Sequence, residues 1–395
     1  MSPWIPALPE YSVPGVYVDA VPSAGARIPL ASTDTSLFLG PMPTFNDSRG
    51  PCLHSWADFA AAHGEVATLY TMGNGMPHHL AAAAWAFFKN GGRKLHVAPV
   101  AHAPGSQPVA AAYADALSRS KVLDDVAIVA APGASGMEDG ENIVDALLQH
   151  VHETDCARFL VLEPPPGQDL FEVRRWRARV HSPHAALYYP WVMTAPAWAG
   201  EAAGSAPVAV APSGFVCGVY ARTEMAVGVH KAPANQVLVG AHALEHSLKS
   251  AEQNLLNPEG INVLRRFEGR EIRLWGARTL GDDPDGKYVQ VRRLVDQIKR
   301  SLQRGIGWVA FEGHGERVYT RVVHQIEAFL QQRWHSGALV GSKPEQAFFV
   351  RCDRSTMSAE DIAQGRLVCL VGLAVSRPAE FVVLRIVQET ATPTG

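Results

Sequence analysis

The feature that most constrains this chain is an apolar run close to its end, at residues 379–387. β-Branched and aromatic residues dominate the run and favour a β-strand. Because they occupy both odd and even positions, we expect both faces of the strand to be buried. A strand of this kind needs a partner at its edges to avoid aggregation, and we predict that the partner is largely another subunit. The residues concerned are Phe381, Val382, Val383, Leu384 and Ile386.

Length and charge exclude several classes of protein. A chain of 395 residues is too long for one core, so we expect two or three domains. The net charge is −3 and no long basic block is present, which argues against a nucleic-acid groove. No apolar run is long enough to cross a bilayer, so direct membrane insertion is not expected. The five cysteines are far apart and include no CxxC pair, which predicts reduced thiols rather than disulfides or a cysteine zinc site.

The N-terminal residues favour an extended arm. Prolines at positions 3, 6, 9 and 14 disfavour a helix, and the start lacks the basic and apolar regions of a signal peptide. Residues 16–21, which begin with Val16, Tyr17 and Val18, are then predicted to form a short strand. The residue pattern leaves two options open: a strand within its own domain, or an arm that reaches a neighbouring subunit.

The middle of the chain alternates helix and strand. We predict strands at 126–130, 158–162 and 185–189, separated by amphipathic or apolar helices. This alternation is typical of βαβ units with a parallel sheet covered by helices, so the predicted fold class is α/β. The loop at 131–136 lacks the lysine and spacing of a phosphate-binding loop and is predicted to be an ordinary turn.

The C-terminal third is predicted to be a further α/β domain. An amphipathic helix spans 289–304, and its arginines, including Arg293 and Arg300, are assigned to a solvated face, or to contacts with a neighbouring subunit's carboxylates if subunits pack in a lattice. A strand is predicted at 308–311, and a second amphipathic helix follows at 318–336. Pro378 suggests that the final strand leaves the body of the domain. The remaining predicted strands are 271–275, 348–352 and 367–375, with a short capped helix at 358–365.

One motif raises an enzymatic alternative. His242, Glu245 and His246 form an HxxEH pattern, which on a helix could bind zinc and supply a general base, with Glu312 or Glu316 as a third ligand. A predicted strand and turn just before the motif argue against the long helix that this zinc hydrolase requires. A second alternative is a monomeric α/β binding protein that uses the strand-to-helix loops of the middle region.

Several segments, in the same order, resemble the tail sheath protein family of contractile phage tails and phage-tail-like injection systems. The resemblance covers nearly the whole chain and is weakest between about residues 100 and 205. The segments that carry it are 14–18, 88–92, 212–223, 228–235, 255–265, 272–280, 288–294, 347–353, 365–367 and 378–381.

The resemblance implies a non-enzymatic, multi-domain protein with no cofactor and no metal site. It implies arms that add strands to sheets of neighbouring subunits, through Val16–Val18 at one end and residues 381–386 at the other. The implied division is an N-terminal arm at 1–24, the N-terminal part of the sheath core at 25–100, an outward-facing middle domain at 101–210, a return to the core at 211–257, a C-terminal sheath domain at 258–376 and a C-terminal arm at 377–395.

The resemblance also implies partners and a location. The expected partners are other sheath subunits in helically stacked hexameric rings, an inner tube protein, and baseplate and tail-terminator proteins. The protein would be made in the bacterial cytoplasm and assembled into a virion tail or a phage-tail-like particle. Contraction would then be driven by conformational energy stored in the extended state.

Overall fold

A computed structural model describes residues 27–42, 50–64, 78–103, 106–153, 157–195, 206–283, 286–313, 315–377 and 380–390. Within them, fourteen strands occur in chain order. They are β1 Thr35–Pro41, β2 Lys94–Val100, β3 Ile128–Ala130, β4 Phe159–Leu162, β5 Ala185–Tyr189, β6 Val192–Thr194, β7 Val208–Val210, β8 Gln236–Val237, β9 Ala243–Leu244, β10 Ile261–Arg266, β11 Ile272–Trp275, β12 Phe348–Arg351, β13 Arg366–Leu373 and β14 Val382–Glu389.

Eleven α-helices accompany the strands in the described part of the chain. They are α1 Trp56–His63, α2 His79–Lys89, α3 Ala110–Ser120, α4 Gly140–His152, α5 Leu170–Arg177, α6 Ser213–Ala226, α7 Ser250–Leu256, α8 Val289–Gly305, α9 Glu316–His335, α10 Pro344–Ala347 and α11 Ala359–Ala363.

The central element is an eight-stranded sheet in the order β2-β1-β3-β4-β5-β10-β11-β8. The first six strands in this order, β2, β1, β3, β4, β5 and β10, are parallel to one another. β11 pairs antiparallel with β10, and β8 pairs antiparallel with β11. Parallel strands require crossover helices, and α3, α4 and α5 occupy the intervals along the chain, as the alternation predicts. The α/β fold class is confirmed.

Both faces of the large sheet are buried, and successive residues of one strand point into different cores. Phe38 packs in a core with α2 and α6, whereas Leu37 packs in a second core with α3, α4 and α5. Because helices cover this sheet on both sides, all seven residues of β1 are buried, including the polar Thr35 and Ser36.

Helices α2 and α6 approach each other closely because α6 carries two glycines at the contact. A Cβ added to Gly214 would lie 2.4 Å from the backbone oxygen of Ala83, and one on Gly218 would lie 2.5 Å from that of Phe87. The alanine-rich face of α2 supplies the other half of this contact. Small residues on both helices therefore set the distance between them.

The C-terminal region has its own core, in which α8 and α9 pack on a three-stranded sheet of β12, β13 and β14. The predicted strand at 308–311 is wrong: Gly307–Phe311 is a 3₁₀ helix. Only Val309 of this segment is buried, and Phe311 is 88% exposed, so the apolar run follows the end of α8 as tight turns rather than as a paired strand.

The assignment of the α8 arginines to a solvated face is also wrong for two of them. Arg293 and Arg300 are buried, because their guanidinium groups reach across to the chain that precedes β1. Arg293 donates to the carbonyl oxygen of Thr33 (2.8 Å), and Arg300 donates to that of Ser32 (3.2 Å). Backbone oxygens of the chain's own N-terminal part thus bind these cations.

The large sheet continues across the predicted domain limits. Strands β1 and β2 end by residue 100 and pair in one sheet with β3 to β5, while β10 and β11 come from beyond residue 257. A third sheet, β7-β6-β9, lies beside it. The division at 24, 100, 210, 257 and 376 stays a prediction.

Candidate subunit-joining sheet

The sheet that contains the predicted C-terminal arm is antiparallel and continuous in register. All eight residues of β14 pair with β13, from Val382 opposite Leu373 to Glu389 opposite Arg366. The other side of β13 pairs with β12. In this single chain, the partner of the last strand is therefore its own sheet. Pro378 lies outside the described residues, and exchange of the strand with another subunit stays a prediction.

A glycine in the middle of β13 makes room for an aromatic contact on this sheet. Phe349 lies opposite Gly372, and a Cβ added to that glycine would lie 2.0 Å from the phenyl ring. The ring of Phe349 meets that of Phe381 edge to face, with centroids 5.1 Å apart. Phe381 thus packs against the sheet just before β14 begins.

The two faces of β14 differ, so the expectation that both are buried is wrong for the single chain. Ile386 is 1% exposed and belongs to the C-terminal core, and Leu384 packs against that core. On the opposite face, Val383 is 54% exposed and Val387 is 38% exposed. Val383 and Val387 are thus only partly covered by the described residues.

The hydrogen-bonding pattern shows which backbone groups of β14 are free. Just past the strand, Thr390 N–H donates to the carbonyl oxygen of Gly365 (2.6 Å). In an antiparallel ladder such bonds recur at every second residue. Even-numbered residues therefore bond to β13, and the N–H and C=O groups of Val383, Arg385 and Val387 point to the outer edge. Among the described residues, no strand pairs with that edge.

Two side-chain interactions hold the far end of β14. Gln388 donates to the carbonyl oxygen of Gln303 on α8 (2.8 Å), and the Thr390 hydroxyl donates to that of Gly365 (2.7 Å). Nearby, hydrogen bonds from Ser358 and then from Arg366 lower the pKa of Asp361 to about 2. The C-terminal end of β14 is therefore held by hydrogen bonds next to the ionised Asp361, while its outer edge has no partner strand among the described residues.

The other predicted arm residues, Val16, Tyr17 and Val18, lie outside the described residues. Nothing in the structure places them, and their pairing remains a prediction.

The HxxEH segment does not form a metal site. It lies at the short strand β9 rather than on a helix, as the strand and turn before it suggested. His242 Nδ1 lies 3.2 Å from the hydroxyl oxygen of Thr194, while Glu245 accepts a bond from the N–H of Gly167 (2.8 Å). The ring of His246 stacks on that of Tyr189. Within the described residues, these side chains, Glu312 and Glu316 belong to no cluster of three potential ligands.

The loop at 131–136 is a closed turn. Gly133 has a φ of 78°, and its N–H donates to the Glu163 carboxylate (2.9 Å) at the end of β4. Burial raises the pKa of Glu163 to about 7, although the hydrogen bond from Gly133 acts in the opposite direction. A buried carboxyl thus fills the position where a phosphate would approach.

No helix in the described part of the chain is long and apolar enough to span a membrane.

These features define an α/β protein of the kind that assembles through strands: helices cover both faces of a large sheet, and a second sheet has an open edge. Two family models match in succession, the phage tail sheath protein central domain at residues 99–280 and the phage tail sheath C-terminal domain at residues 281–389. Together they cover most of the chain, which therefore belongs to the phage tail sheath family.

A curated relative and solved structures agree with this assignment. The chain is 26% identical over 236 residues to the tail sheath protein of Burkholderia phage BcepMu, a match that covers 58% of this chain and 46% of that protein. It thus spans about half the length of that relative.

Two cryo-EM structures match over almost the whole chain. The helical sheath of the anti-feeding prophage in the contracted state is 30% identical, with a TM-score of 0.72 and coverage of 95% of this chain and 99% of that one. The PVC sheath in the contracted state, from an extracellular contractile injection system, is 26% identical, with a TM-score of 0.73 and coverage of 95% and 98%. The family is a structural one, and the zinc hydrolase alternative finds no support.

Proposed function

We propose that this chain is the structural subunit of a contractile sheath, which polymerises in stacked rings around an inner tube and drives the tube through a target envelope. The likeness to two contracted sheaths over 95% of the chain supports this function. Similarity to a chain of the six-fold symmetrised anti-feeding prophage baseplate (28% identity, TM-score 0.68) supports hexameric rings and baseplate partners.

The observation that carries the proposal is the open outer edge of β14. Its free N–H and C=O groups and the exposed side chains of Val383 and Val387 offer a template for strand addition. A strand from a neighbouring subunit, for which Val16–Val18 is our candidate, would satisfy those groups and cover the exposed valines. Alternatively, β14 itself would be exchanged onto the β13 of a neighbour.

Joints of this kind suit a contractile lattice. Main-chain hydrogen bonds hold neighbouring subunits while the rigid bodies rotate about flexible connections. The sequence contains no ATP-binding motif, so contraction would use free energy stored in the extended lattice. Subunits would be made in the bacterial cytoplasm and incorporated into a tail or tail-like particle.

The experiment compares two substitutions at one residue. Val383→Pro removes an N–H that faces the open edge, and proline is tolerated at edge positions because that N–H makes no bond to β13. Val383→Ala shortens the same side chain to a methyl group but keeps the N–H. We expect wild type and Val383→Ala to form tubes or rings in negative-stain micrographs. We expect Val383→Pro to remain a folded, unassembled chain by circular dichroism and size-exclusion chromatography.

A wild-type chain that stays monomeric at all concentrations tested would overturn the proposal and favour the monomeric binding protein. Normal tube formation by Val383→Pro would overturn strand addition at the edge of β14 and leave exchange of β14 onto a neighbour's β13 as the joint. Deleting the whole strand is a poorer test, because Ile386 is part of the C-terminal core.

A further inference from the structure

A cluster of three potential metal ligands lies at the margin of the large sheet formed by its edge strand β2. It consists of Cys52, His96 and Asp125, whose sulfur, nitrogen and oxygen atoms all lie within 4.8 Å of one another. The imidazole Nε2 of His96 is 3.1 Å from Oδ2 of Asp125. Neither the tail sheath assignment nor the arm joints make use of these side chains.

The fold brings the three residues together from separate segments. Leu53 and Leu95 exchange two backbone hydrogen bonds of 2.8 and 2.9 Å in an antiparallel bridge. Cys52 therefore lies opposite His96 in the adjacent, non-hydrogen-bonded pair, where side chains are closest. Asp125 comes from the turn before β3, which is held by the bond from Ala127 N–H to the Thr35 oxygen (3.0 Å). A search for CxxC spacing misses such a site.

The chemistry of the donors favours one class of ion. A thiolate, a neutral imidazole and a carboxylate carry two negative charges and match a divalent cation. Thiolate and imidazole donors select zinc and similar transition metals over calcium or magnesium, which prefer oxygen ligands. Ligand atoms around a tetrahedral zinc lie roughly 3–4 Å apart, given bonds of about 2.0–2.3 Å, which is compatible with this cluster.

The surroundings are also suitable. The His96 side chain is only 11% exposed, whereas that of Asp125 is 46% exposed. The cluster is therefore anchored on the protein side and open to solvent on the other. Three protein ligands leave a fourth coordination position that water can occupy.

We propose that Cys52, His96 and Asp125 bind one divalent transition-metal ion of the zinc class. The ion fastens the segment around Cys52 to β2 and to the turn that precedes β3, and it stabilises that margin of the large sheet. This inference is independent of the proposed sheath function, since binding by the unassembled chain suffices.

Cobalt(II) is the probe, because a thiolate ligand gives a charge-transfer absorption band and tetrahedral geometry gives strong visible bands. We expect the purified full-length chain to bind about one equivalent of Co²⁺ saturably, with both features, and Zn²⁺ to displace it. Cys52→Ser should lose the charge-transfer band. His96→Gln and Asp125→Asn should weaken binding at least about tenfold, since even outer-shell changes at metal sites cost roughly 10–100-fold.

The matched control is His181→Gln. His181 forms a comparable imidazole–carboxylate pair with Asp282 (3.4 Å) but belongs to no three-ligand cluster in the described residues. The His181→Gln variant should bind Co²⁺ as the wild type does. Unfolding curves with and without a chelator supply a second readout. The chelator should lower the stability of the metal-loaded wild type and His181→Gln, but not that of the variants that lack one of the three ligands. An absent charge-transfer band in the wild type, or an identical band in Cys52→Ser, would overturn the proposal.

Discussion

Arg293 of α8 and Glu224 of α6 form a buried ion pair, with the Nη2 and Oε2 atoms 3.0 Å apart. The pair joins a helix of the C-terminal region to a helix that covers the large sheet. The guanidinium group also lies 4.8 Å above the ring of Tyr220, and Glu224 accepts a hydrogen bond from the Thr33 hydroxyl. Three separate parts of the chain therefore meet at one pair of charges.

Breaking this ion pair should be costly. Glu224→Ala leaves the guanidinium of Arg293 buried without its counter-charge, and we expect a loss of about 3–5 kcal/mol in the free energy of unfolding. The double variant Arg293→Met/Glu224→Leu should lose less than the single one, because no charge remains buried. Denaturant unfolding of the assembly-deficient Val383→Pro background measures both. Glu259→Ala, which breaks the more exposed pair with Arg174, is the control and should cost at most about 1 kcal/mol.

Glu163 should make the protein less stable as the pH rises. Its pKa is about 7 in the folded chain, against an ordinary value of 4.5, so the folded state holds the proton more tightly than the unfolded state. The stabilisation is complete below about pH 4.5 and is lost as the pH rises through 7, up to roughly 3 kcal/mol. Glu163→Gln keeps an acceptor for Gly133 and cannot ionise. Unfolding curves of the two chains should agree near pH 4.5 and diverge near pH 8, with the variant more stable; parallel pH profiles would contradict this.

Gly372 should tolerate no side chain while Phe349 keeps its position. Gly372→Ala forces the phenyl ring away from Phe381 and should lower the free energy of unfolding by about 1–3 kcal/mol. Gly307→Ala is the matched control, because no atom lies within 4 Å of its added Cβ. Thermal unfolding measures both. Equal melting temperatures for the two variants would show that the ring moves without cost.

An engineered disulfide should reveal whether β14 stays in its own sheet during assembly. Leu370 and Arg385 are opposite each other in a non-hydrogen-bonded pair of β13 and β14, on the open face. Oxidising Leu370→Cys/Arg385→Cys in assembled tubes should give covalent multimers on a denaturing gel if the strands are exchanged between subunits. The same oxidation should give internally cross-linked monomers if β14 remains paired with β13 of its own chain and accepts a neighbour's arm at its outer edge. The single variant Arg385→Cys controls for random oxidation.

Sequence reasoning predicted the elements of this fold because their signals are local. The alternation of apolar strands with helices between residues 126 and 189 predicted the parallel sheet, which the structure contains. It failed at Trp308–Phe311, where a strand-like composition has no neighbouring strand with which to pair. It also failed at Arg293 and Arg300, because helical periodicity carries no information about acceptors that lie 260 and 268 residues away in the chain.

The sequence by itself determined the class of protein and the apolar character of its final strand. Both depend on short runs of residues and on the order of motifs along the chain. Only the tertiary structure decided that β14 folds onto β13, that its odd-numbered backbone groups face an open edge, and that Cys52, His96 and Asp125 converge. Strand partners, edges and ligand clusters depend on which distant segments become neighbours. That information arises from packing of the whole chain, not from any one segment of it.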